Sequence, residues 1–465
     1  MMRSLFAGVS GLQNHQTRMD VIGNNIANVN THGFKRNRVT FQDMFYQTLQ
    51  GAARPTDTVG GVNPQQVGLG MTIASIDTLH LQGSFQTTWV TTDLAINGTG
   101  FFVLNDRGTE LFTRAGTFSL DREGTLVNPN GLQVQGWMAQ EIDGVHFLDT
   151  ARSVENIVIQ VGAKDAARAT TRVYMDSNLD KRTPEIGDGA TALQTAEGTV
   201  RVQQRIYDAF GESHDLQIEF RRVPGVPNSW TAEVIVNPQS VIPTNTSVGL
   251  GDLPPAAGAP ELFTLNFDNF GRLVSAVDAA GNESGGEAGP VFMNVAFDVP
   301  DADLEEDGSV MRQTFHLNLG TVGGLTNSVT QFAERTTTRI FEQNGNFMGY
   351  MEDFRIDTRG VITGIFTNGT RRPIGQVAMA SFSNQGGLEK MGDNNFRATP
   401  NSGLADIGPS GVAGRGYMRA GTLEMSNVDM AEQFTDMIIT QRGFQANSRT
   451  IQTSDQMLQE ILNLR

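Results

Sequence analysis

The sequence predicts a mainly β, multidomain chain whose N- and C-terminal α-helices form a coiled coil, with antiparallel β domains between them. Both ends of the chain carry apolar residues at helical spacing, whereas residues 70–380 carry short apolar stretches separated by turn residues. The composition agrees, because the chain has 52 Gly and only 18% charged residues. That balance is typical of a turn-rich β protein with an uncharged polar surface.

The N-terminal helix is predicted over residues 4–29. Its apolar residues recur at every seventh position and form a narrow seam on an otherwise polar helix, which is typical of a coiled coil. These seam residues are Leu5, Leu12, Met19 and Ile26. The polar run 24–33 should end the helix, because Asn and Gly favour caps and turns over helix interiors.

The last 40 residues repeat this pattern. The apolar seam of this second helix consists of Met437, Phe444, Ile451 and Leu458. The other seam position is predicted to be polar and to consist of Gln441, Ser448 and Asp455. Ser426 or Asn427 is the predicted N-cap.

The eight apolar residues of the two helices form the predicted assembly seam. Each helix alone would be marginal in water, since its apolar stripe is narrow. We therefore expect the two helices to pair, within one chain or between chains. The alternative is that two amphipathic helices pack separately on the β domains.

The middle of the chain is predicted to form antiparallel sandwiches or barrels. Turn signals recur there every 8–12 residues between short apolar stretches such as 98–104 and 117–120. The aromatic residues of the first stretches should belong to a domain core and not to a contact surface. They are Phe101, Phe102, Phe112 and Phe118.

The two ends and the middle suggest a nested domain plan. Residues 1–30 and 425–465 form a paired helical inner domain, and 31–70 and 399–424 form linkers or extended segments. Residues 71–145 and 345–398 form an inner β domain. Residues 146–344 form an outer β insert, predicted to have two lobes. The Gly/Pro/Ala-rich segment 249–260 either separates these lobes or forms a loop inside the region.

The composition excludes several kinds of protein. Without Cys there are no disulfides, thiolate metal sites or cysteine nucleophiles. A formal net charge of −16 disfavours binding to nucleic acid or to an anionic membrane surface. No apolar run is long enough to insert into a membrane, and the N-terminus lacks the apolar stretch of a signal peptide. The chain is therefore expected to be cytosolic or to be exported without a cleaved signal.

No catalytic, cofactor or metal site is predicted. The chain has no Walker A motif, and the Gly98 and Gly100 pair is followed by a strand pattern instead of the helix of a dinucleotide fold. The acidic run 303–308 begins like a calcium loop, but Thr314 stands at the twelfth position, where a Glu is needed. The six His are scattered singly. We therefore expect no enzymatic activity, no metal and no cofactor.

Five stretches resemble the signatures of bacterial flagellar rod and hook proteins. They are residues 19–35, 93–103, 112–118, 426–447 and 455–458, and they stand in the family's order at the correct ends of the chain. Rod proteins of this family are short, whereas hook proteins carry outer domains inserted between the two halves of their inner domain. The large insert of this chain is similar to that of the hook proteins. The resemblance implies a structural subunit of a tubular polymer, the flexible universal joint that transmits motor torque to the filament.

The resemblance also implies partners and a location. The partners are copies of the chain itself in a helical homopolymer, the distal rod protein, the hook-filament junction protein, the hook cap and the flagellar export apparatus. The location is the hook segment of the flagellum, which is periplasmic in a spirochaete. The alternative is a distal rod or another axial protein of the family. A more remote alternative is a secreted β-sandwich that binds or cleaves carbohydrate.

Residues 164–180 resemble spirochaete hook proteins, which join neighbouring subunits through a lysinoalanine bond between a Lys and a Cys. The resemblance makes Lys164 and Ser177 candidate cross-link positions. Hydroxide leaves far less readily than a sulfur group, so self-catalysed cross-linking through Ser177 is doubtful. Ser177 is either an engineered replacement for Cys or native to a lineage without the bond. The alternative that Lys164 is an ordinary exposed Lys and Ser177 an ordinary strand Ser is equally open.

Overall fold

The structure is a computed structural model that describes residues 2–55, 60–142, 145–187, 191–238, 246–249, 261–285, 289–299 and 312–463. It is mostly β, with a long α-helix at each end, as the sequence predicts. The chain divides into two compact units. Unit 1 comprises Met1–Val161, Glu352–Ile365 and Arg371–Arg465, and unit 2 comprises Gly162–Met351 and Phe366–Thr370.

The helices are α1 (Met2–Ala27), α2 (Ala192–Gly198) and α3 (Met430–Asn463), with a short 3₁₀ helix at Gln385–Gly387. Helix α3 is capped by Asp429, whose Oδ1 accepts a hydrogen bond of 2.8 Å from the backbone N–H of Ala431. The predicted caps, Ser426 and Asn427, are therefore wrong. Asn427 Oδ1 instead accepts a hydrogen bond from the backbone N–H of Arg36. No helix in the described part of the chain is long and apolar enough to cross a membrane.

Unit 1 is built on an antiparallel sheet formed by both halves of the sequence. Its strands run, in spatial order, Val361–Phe366, Arg371–Val377, Gln133–Met138, Phe101–Asp106, Thr109–Thr113, Asn395–Arg397 and Glu389–Gly392. The strands of this sheet contribute buried aromatic residues to a hydrophobic core, including Phe101, Phe112 and Trp137. Phe102 and Phe118 are buried as well, which confirms the predicted core positions.

The other strands of unit 1 are shorter or lie outside this sheet order. They are Asn37–Asp43, Tyr46–Gln50, Gln65–Gly68, Met71–Thr78, Phe85–Thr87, Leu94–Asn97, Ser119–Leu120, Leu126–Val127, Gln140–Ile142, Val145–Phe147, Glu155–Asn156, Met379–Ser381, Asp406–Gly408, Tyr417–Ala420 and Thr422–Glu424. The strand Gly349–Ile356 begins in unit 2 and ends in unit 1.

Residues 31–70 and 399–424, predicted as linkers, contain paired strands. Asn37–Asp43 pairs with Met71–Thr78, and Tyr46–Gln50 pairs with Gln65–Gly68. The second pair is exposed along its length, so its residues show no alternation of apolar and polar types from which a strand could be predicted. Tyr417–Ala420 pairs with Leu94–Asn97.

Unit 2 contains two six-stranded sheets. One is an antiparallel meander of Thr199–Tyr207, Ser213–Arg222, Ser229–Val236, Leu262–Phe267, Leu273–Asp278 and Glu283–Ser284. The other contains Thr246–Gly249, Pro290–Asp298, Arg312–Thr321, Arg172–Asn178, Val329–Thr330 and Thr337–Gln343. A short strand, Lys164–Asp165, pairs with Gly349 and Tyr350.

The two sheets of unit 2 share one hydrophobic core. Trp230 and Phe220 of the meander belong to the same buried cluster as Phe297 and Phe315 of the second sheet. The described strands of these two sheets therefore form one sandwich. The Gly/Pro/Ala-rich segment 249–260, predicted to separate two lobes or to form a loop inside this region, stays a prediction. That segment lies outside the described residues apart from Gly249.

Candidate assembly site at the terminal helices

Helices α1 and α3 pack against each other in antiparallel orientation. Ser4 near the start of α1 lies beside Ser454 near the end of α3, with the two Oγ atoms 3.3 Å apart. Further along, the guanidinium of Arg18 donates to the carboxylate of Asp436 at 3.1 Å. The terminal helices therefore pair within one chain, as the seam pattern predicts.

Glycines allow the two helix backbones to approach closely. A Cβ atom added at Gly11 would lie 2.6 Å from Nδ2 of Asn447, and one added at Gly443 would lie 2.9 Å from the ring of His15. Both distances are shorter than a normal contact, so a larger residue would require the facing side chain of Asn447 or His15 to move. The sequence reasoning followed apolar residues alone and so did not include these positions.

All eight predicted seam residues are half-buried in the single chain: Leu5, Leu12, Met19, Ile26, Met437, Phe444, Ile451 and Leu458. The middle of the contact on α3 is a polar row at heptad spacing, made of buried Gln433, Thr440 and Ser454 with half-buried Asn447. The predicted polar positions were therefore wrong, since Gln441 and Asp455 are exposed and Ser448 is only half-buried. The observed row lies one residue earlier than the predicted positions.

Two members of the polar row bond to α1, since Ser454 lies beside Ser4 and Gln433 accepts from Asn25. Thr440 instead donates to the Asp436 carbonyl within α3. The Asn25 side chain donates to Oε1 of Gln433 at 3.0 Å and to the carbonyl of Asn37 at 2.8 Å. Asn25 Oδ1 in turn accepts from the backbone N–H of Asn37 at 2.9 Å. A buried polar pairing of this kind fixes the register of two helices but adds less stability than an apolar contact.

A second set of apolar side chains on the same helices faces solvent. On α3, Phe434 is 48% exposed and Ile438 is 53% exposed, and these two residues stand one helical turn apart. On α1, Phe6 is 62% exposed. The helix pair therefore leaves apolar surface uncovered in a single chain, which is typical of a surface that another molecule covers.

A buried charge cluster connects the two ends of the chain to the sheet of unit 1. Nζ of Lys35, just after α1, lies 2.6 Å from Oε1 of Glu424, just before α3. The other carboxylate oxygen of Glu424 lies 3.2 Å from Nη1 of Arg114. The side chains of Lys35 and Glu424 are fully buried. Arg114 also donates to the carbonyls of Ile96 and Gly98.

The cluster holds two cations and one carboxylate in a site without bulk water. Burial lowers the pKa of Lys35, Glu424 raises it, and Arg114 lowers it again. Burial likewise lowers the pKa of Arg114, against the opposing effect of Glu424. Breaking such a buried pair leaves an uncompensated charge. The cluster therefore holds both chain ends to the sheet of unit 1.

The sequence carries no clear local signal for this cluster. Lys35 stands between Phe34 and Arg36, and Arg114 stands between Thr113 and Ala115, so neither charged residue interrupts an apolar run. The sequence could not show that Glu424, more than 300 residues away, supplies the carboxylate. Strand pairing of Thr422–Glu424 with Phe85–Thr87 places it there.

His80 makes unit 1 sensitive to acid. Burial, followed by the charges of Lys35, Arg114 and Lys390, lowers its pKa to about 4. Between the usual His pKa of about 6.5 and pH 4, the unfolded chain binds a proton that the folded chain does not. As the pH is lowered from 6.5 to 4, we therefore expect the free energy of unfolding to fall by on the order of 2 kcal/mol. Below pH 4 this group contributes no further change.

The measurement is denaturant unfolding at several pH values between 7 and 4. A His80→Gln chain should lose part of the pH dependence, because Gln does not titrate. The same pH dependence in both chains would contradict the role given to His80. The aromatic rings of Phe101 and Phe396, which lie 5.6 and 5.5 Å from the His80 ring, explain why water does not reach it freely.

The two candidate cross-link positions lie in different surroundings in unit 2. Lys164 is exposed and pairs with Tyr350. Ser177 is 3% exposed, lies between Val329 and Thr338, and its hydroxyl has no hydrogen-bond partner among the described residues. In the same described part of the chain, no group of three His, Cys, Asp or Glu could hold a metal ion.

Family models match most of the chain. Residues 5–35 match the flagella basal body rod protein family, and 95–170 match the D1 domain of flagellar hook protein FlgE/F/G. Residues 178–346 match the flagellar basal body protein FlaE D2 domain. Residues 419–464 match the C-terminal family of flagellar basal body rod FlgEFG proteins.

Proteins of similar sequence match this chain over its whole length. The flagellar hook protein FlgE of Treponema pallidum is 54% identical over 466 residues, and that of Borreliella burgdorferi is 50% identical over 467; each match covers 100% of both chains. A crystal structure of Helicobacter pylori flagellar hook protein FlgE2 resembles 73% of this chain and 100% of its own with a TM-score of 0.50. At 15% identity, that likeness concerns the fold alone.

Proposed function

The chain belongs to the flagellar hook protein family, and from this membership we propose that its paired terminal helices are the element that assembles the hook. The chain is a structural subunit of the flagellar hook and polymerises with copies of itself in the axial structure. It belongs among structural proteins and not among enzymes. What remains to be assigned is which residues make the contacts between subunits.

The observation that carries the proposal is the uncovered apolar surface of the helix pair. A single chain leaves Phe6, Phe434 and Ile438 largely in water while its helix contact is partly polar. A neighbouring helix pair that covers these residues would remove apolar area from water and strengthen a contact that is weak in one chain. The eight half-buried seam residues lie where such a neighbour would complete their burial.

We propose a layered arrangement of the chain in the polymer. The helical segments 1–30 and 425–465 form the inner layer, around the central channel. The segments 31–70 and 399–424 connect them to the β domain of 71–145 and 345–398, and 146–344 forms the outer layer. Charged and polar side chains on the outer strands suit a joint in which neighbouring subunits slide over each other.

The specific binding partners of the chain follow from the same proposal. A hook subunit meets the distal rod protein at one end of the polymer, the junction protein at the filament end and the cap during growth. It reaches the growing end through the flagellar export apparatus, and in a spirochaete it stays in the periplasm. A chain without Cys has no disulfide to hinder passage in an unfolded state.

We do not assign a self-catalysed cross-link to this chain. Ser177 would have to lose its hydroxyl as hydroxide, which is a poor leaving group, and its side chain is buried between two strands. Lys164 is exposed but has no Cys to react with. The subunits are then held by non-covalent contacts.

The proposal is tested with Phe434→Ser/Ile438→Ser. Because both side chains are largely exposed in the single chain, the variant should fold as the parent does. It should form polymer only at a concentration at least ten times higher, as measured by sedimentation and negative-stain electron microscopy. The control is Phe270→Ser in unit 2, an exposed aromatic outside the helices. Equal polymerisation of the helix variant and the parent would overturn the proposal.

A further inference from the structure

Trp89 combines two unusual properties. Its side chain is 90% exposed, and its backbone has φ of 62°, in the left-handed region that residues other than Gly rarely adopt. For a residue as large as Trp this conformation is strained, and such strain persists only where the surrounding structure enforces it. Strained residues of this kind are concentrated at functional sites.

The surrounding structure holds the Trp89 turn firmly. The backbone N–H groups of Thr88 and Trp89 both donate to the carbonyl of Gly421, at 2.9 and 3.3 Å. The N–H of Gly421 donates to the carbonyl of Asp93 at 2.8 Å, which closes the turn from its other side. Paired strands flank the turn at both ends. The indole is therefore presented to solvent on a rigid support.

Within the described residues, the Trp89 indole takes part in no aromatic ring contact. By contrast, Trp137 is 3% exposed and Trp230 is fully buried. The next residue, Val90, is 49% exposed, so the turn presents two adjacent apolar side chains. A preorganised, protruding Trp is the residue type that most often anchors a protein interface.

We propose that Trp89 is an anchor that inserts into an apolar pocket on a second copy of this chain. The inference rests on the proposed function, in which the chain is a polymer subunit. The turn is bonded to Gly421, directly before the strand Thr422–Glu424 that leads into α3, so it is continuous with the proposed assembly element. A rigid turn loses little conformational freedom on docking, which favours association.

Fluorescence quenching tests the anchor directly in the full chain. In the monomer, acrylamide should quench the emission of Trp89, while Trp137 and Trp230 stay protected. In the polymer that accessible component should disappear. A Trp89→Phe chain should lack it in both states, which identifies its source. A polymer in which Trp89 remains as quenchable as in the monomer would overturn the inference and leave the proposed function standing.

A second variant separates anchoring from a merely structural role. Trp89→Gly relieves the backbone strain, so the monomer should melt at a higher temperature, yet the concentration needed for polymerisation should rise at least tenfold. The control is Arg107→Gly, because Arg107 is exposed with φ of 49° and lies in another turn. It should raise the melting temperature and leave polymerisation unchanged.

Two results would count against the anchor. If Trp89→Gly polymerises like the parent, the anchor is wrong while the proposed function survives. If the parent itself forms no polymer, both the proposed function and the anchor are overturned.

Discussion

A Phe444→Asp chain should stay monomeric while both of its β units fold. Phe444 is half-buried and stands four residues after Thr440 of the polar row on α3. A carboxylate there would lose part of its hydration when the helices pair, and Gln433 of the polar row is already bonded to Asn25. The helix pair should separate, and with it the surface that joins neighbouring subunits. Sedimentation should then find no polymer, whereas near-ultraviolet circular dichroism should be unchanged.

The matched control is Gln441→Asp. Gln441 lies on the same helix, three residues earlier, and is exposed, so this change adds the same charge without burying it. Its polymerisation should stay within a few-fold of the parent. If Phe444→Asp and Gln441→Asp polymerise alike, net charge and not helix pairing governs assembly.

Glu424→Gln should destabilise unit 1 by about 3–5 kcal/mol, because it leaves the buried cations of Lys35 and Arg114 without a counter-charge. The amide keeps the size of the carboxylate, so the loss reports charge and not a cavity. Denaturant unfolding is followed by tryptophan emission in a Trp230→Phe background, where both remaining Trp belong to unit 1.

Two controls make this result specific. Lys35→Met leaves one cation with one carboxylate, so the cluster becomes neutral and the loss should be smaller than for Glu424→Gln. Glu389→Gln removes an exposed pairing with Arg397 at 2.8 Å and should change stability by less than about 1 kcal/mol. A larger loss for Lys35→Met than for Glu424→Gln would contradict the charge balance described for the cluster.

The sequence predicted the helices and the β character because both leave local signals. Heptad spacing of Leu5 and Leu12 reports a helix face directly, and turn residues between short apolar stretches report antiparallel strands. The end of α1 at Ala27 also follows from its own Asn and Gly residues. The motifs at both ends then predicted the family, which the similarity of the hook proteins confirms.

What the sequence did not predict depends on contacts between distant residues. The polar row of α3 is recognisable only once Gly11 and Gly443 bring the helices together, since Gln433 and Gln441 look alike in sequence. The role of Glu424 depends on its ion pairs with Lys35 and Arg114, which lie far away in the sequence. The single sandwich of unit 2 depends on which sheet covers which, and periodicity alone does not report this.

Amide hydrogen exchange of monomer and polymer is the most direct test of the claim that the terminal helices assemble the hook. The helix pair has a partly polar contact in one chain, so amides of 2–27 and 430–463 should exchange rapidly in the monomer and at least a hundredfold more slowly in the polymer. The core strands Phe101–Asp106 and Ser229–Val236 should be protected equally in both states. Equal protection of the helices in monomer and polymer would contradict the claim.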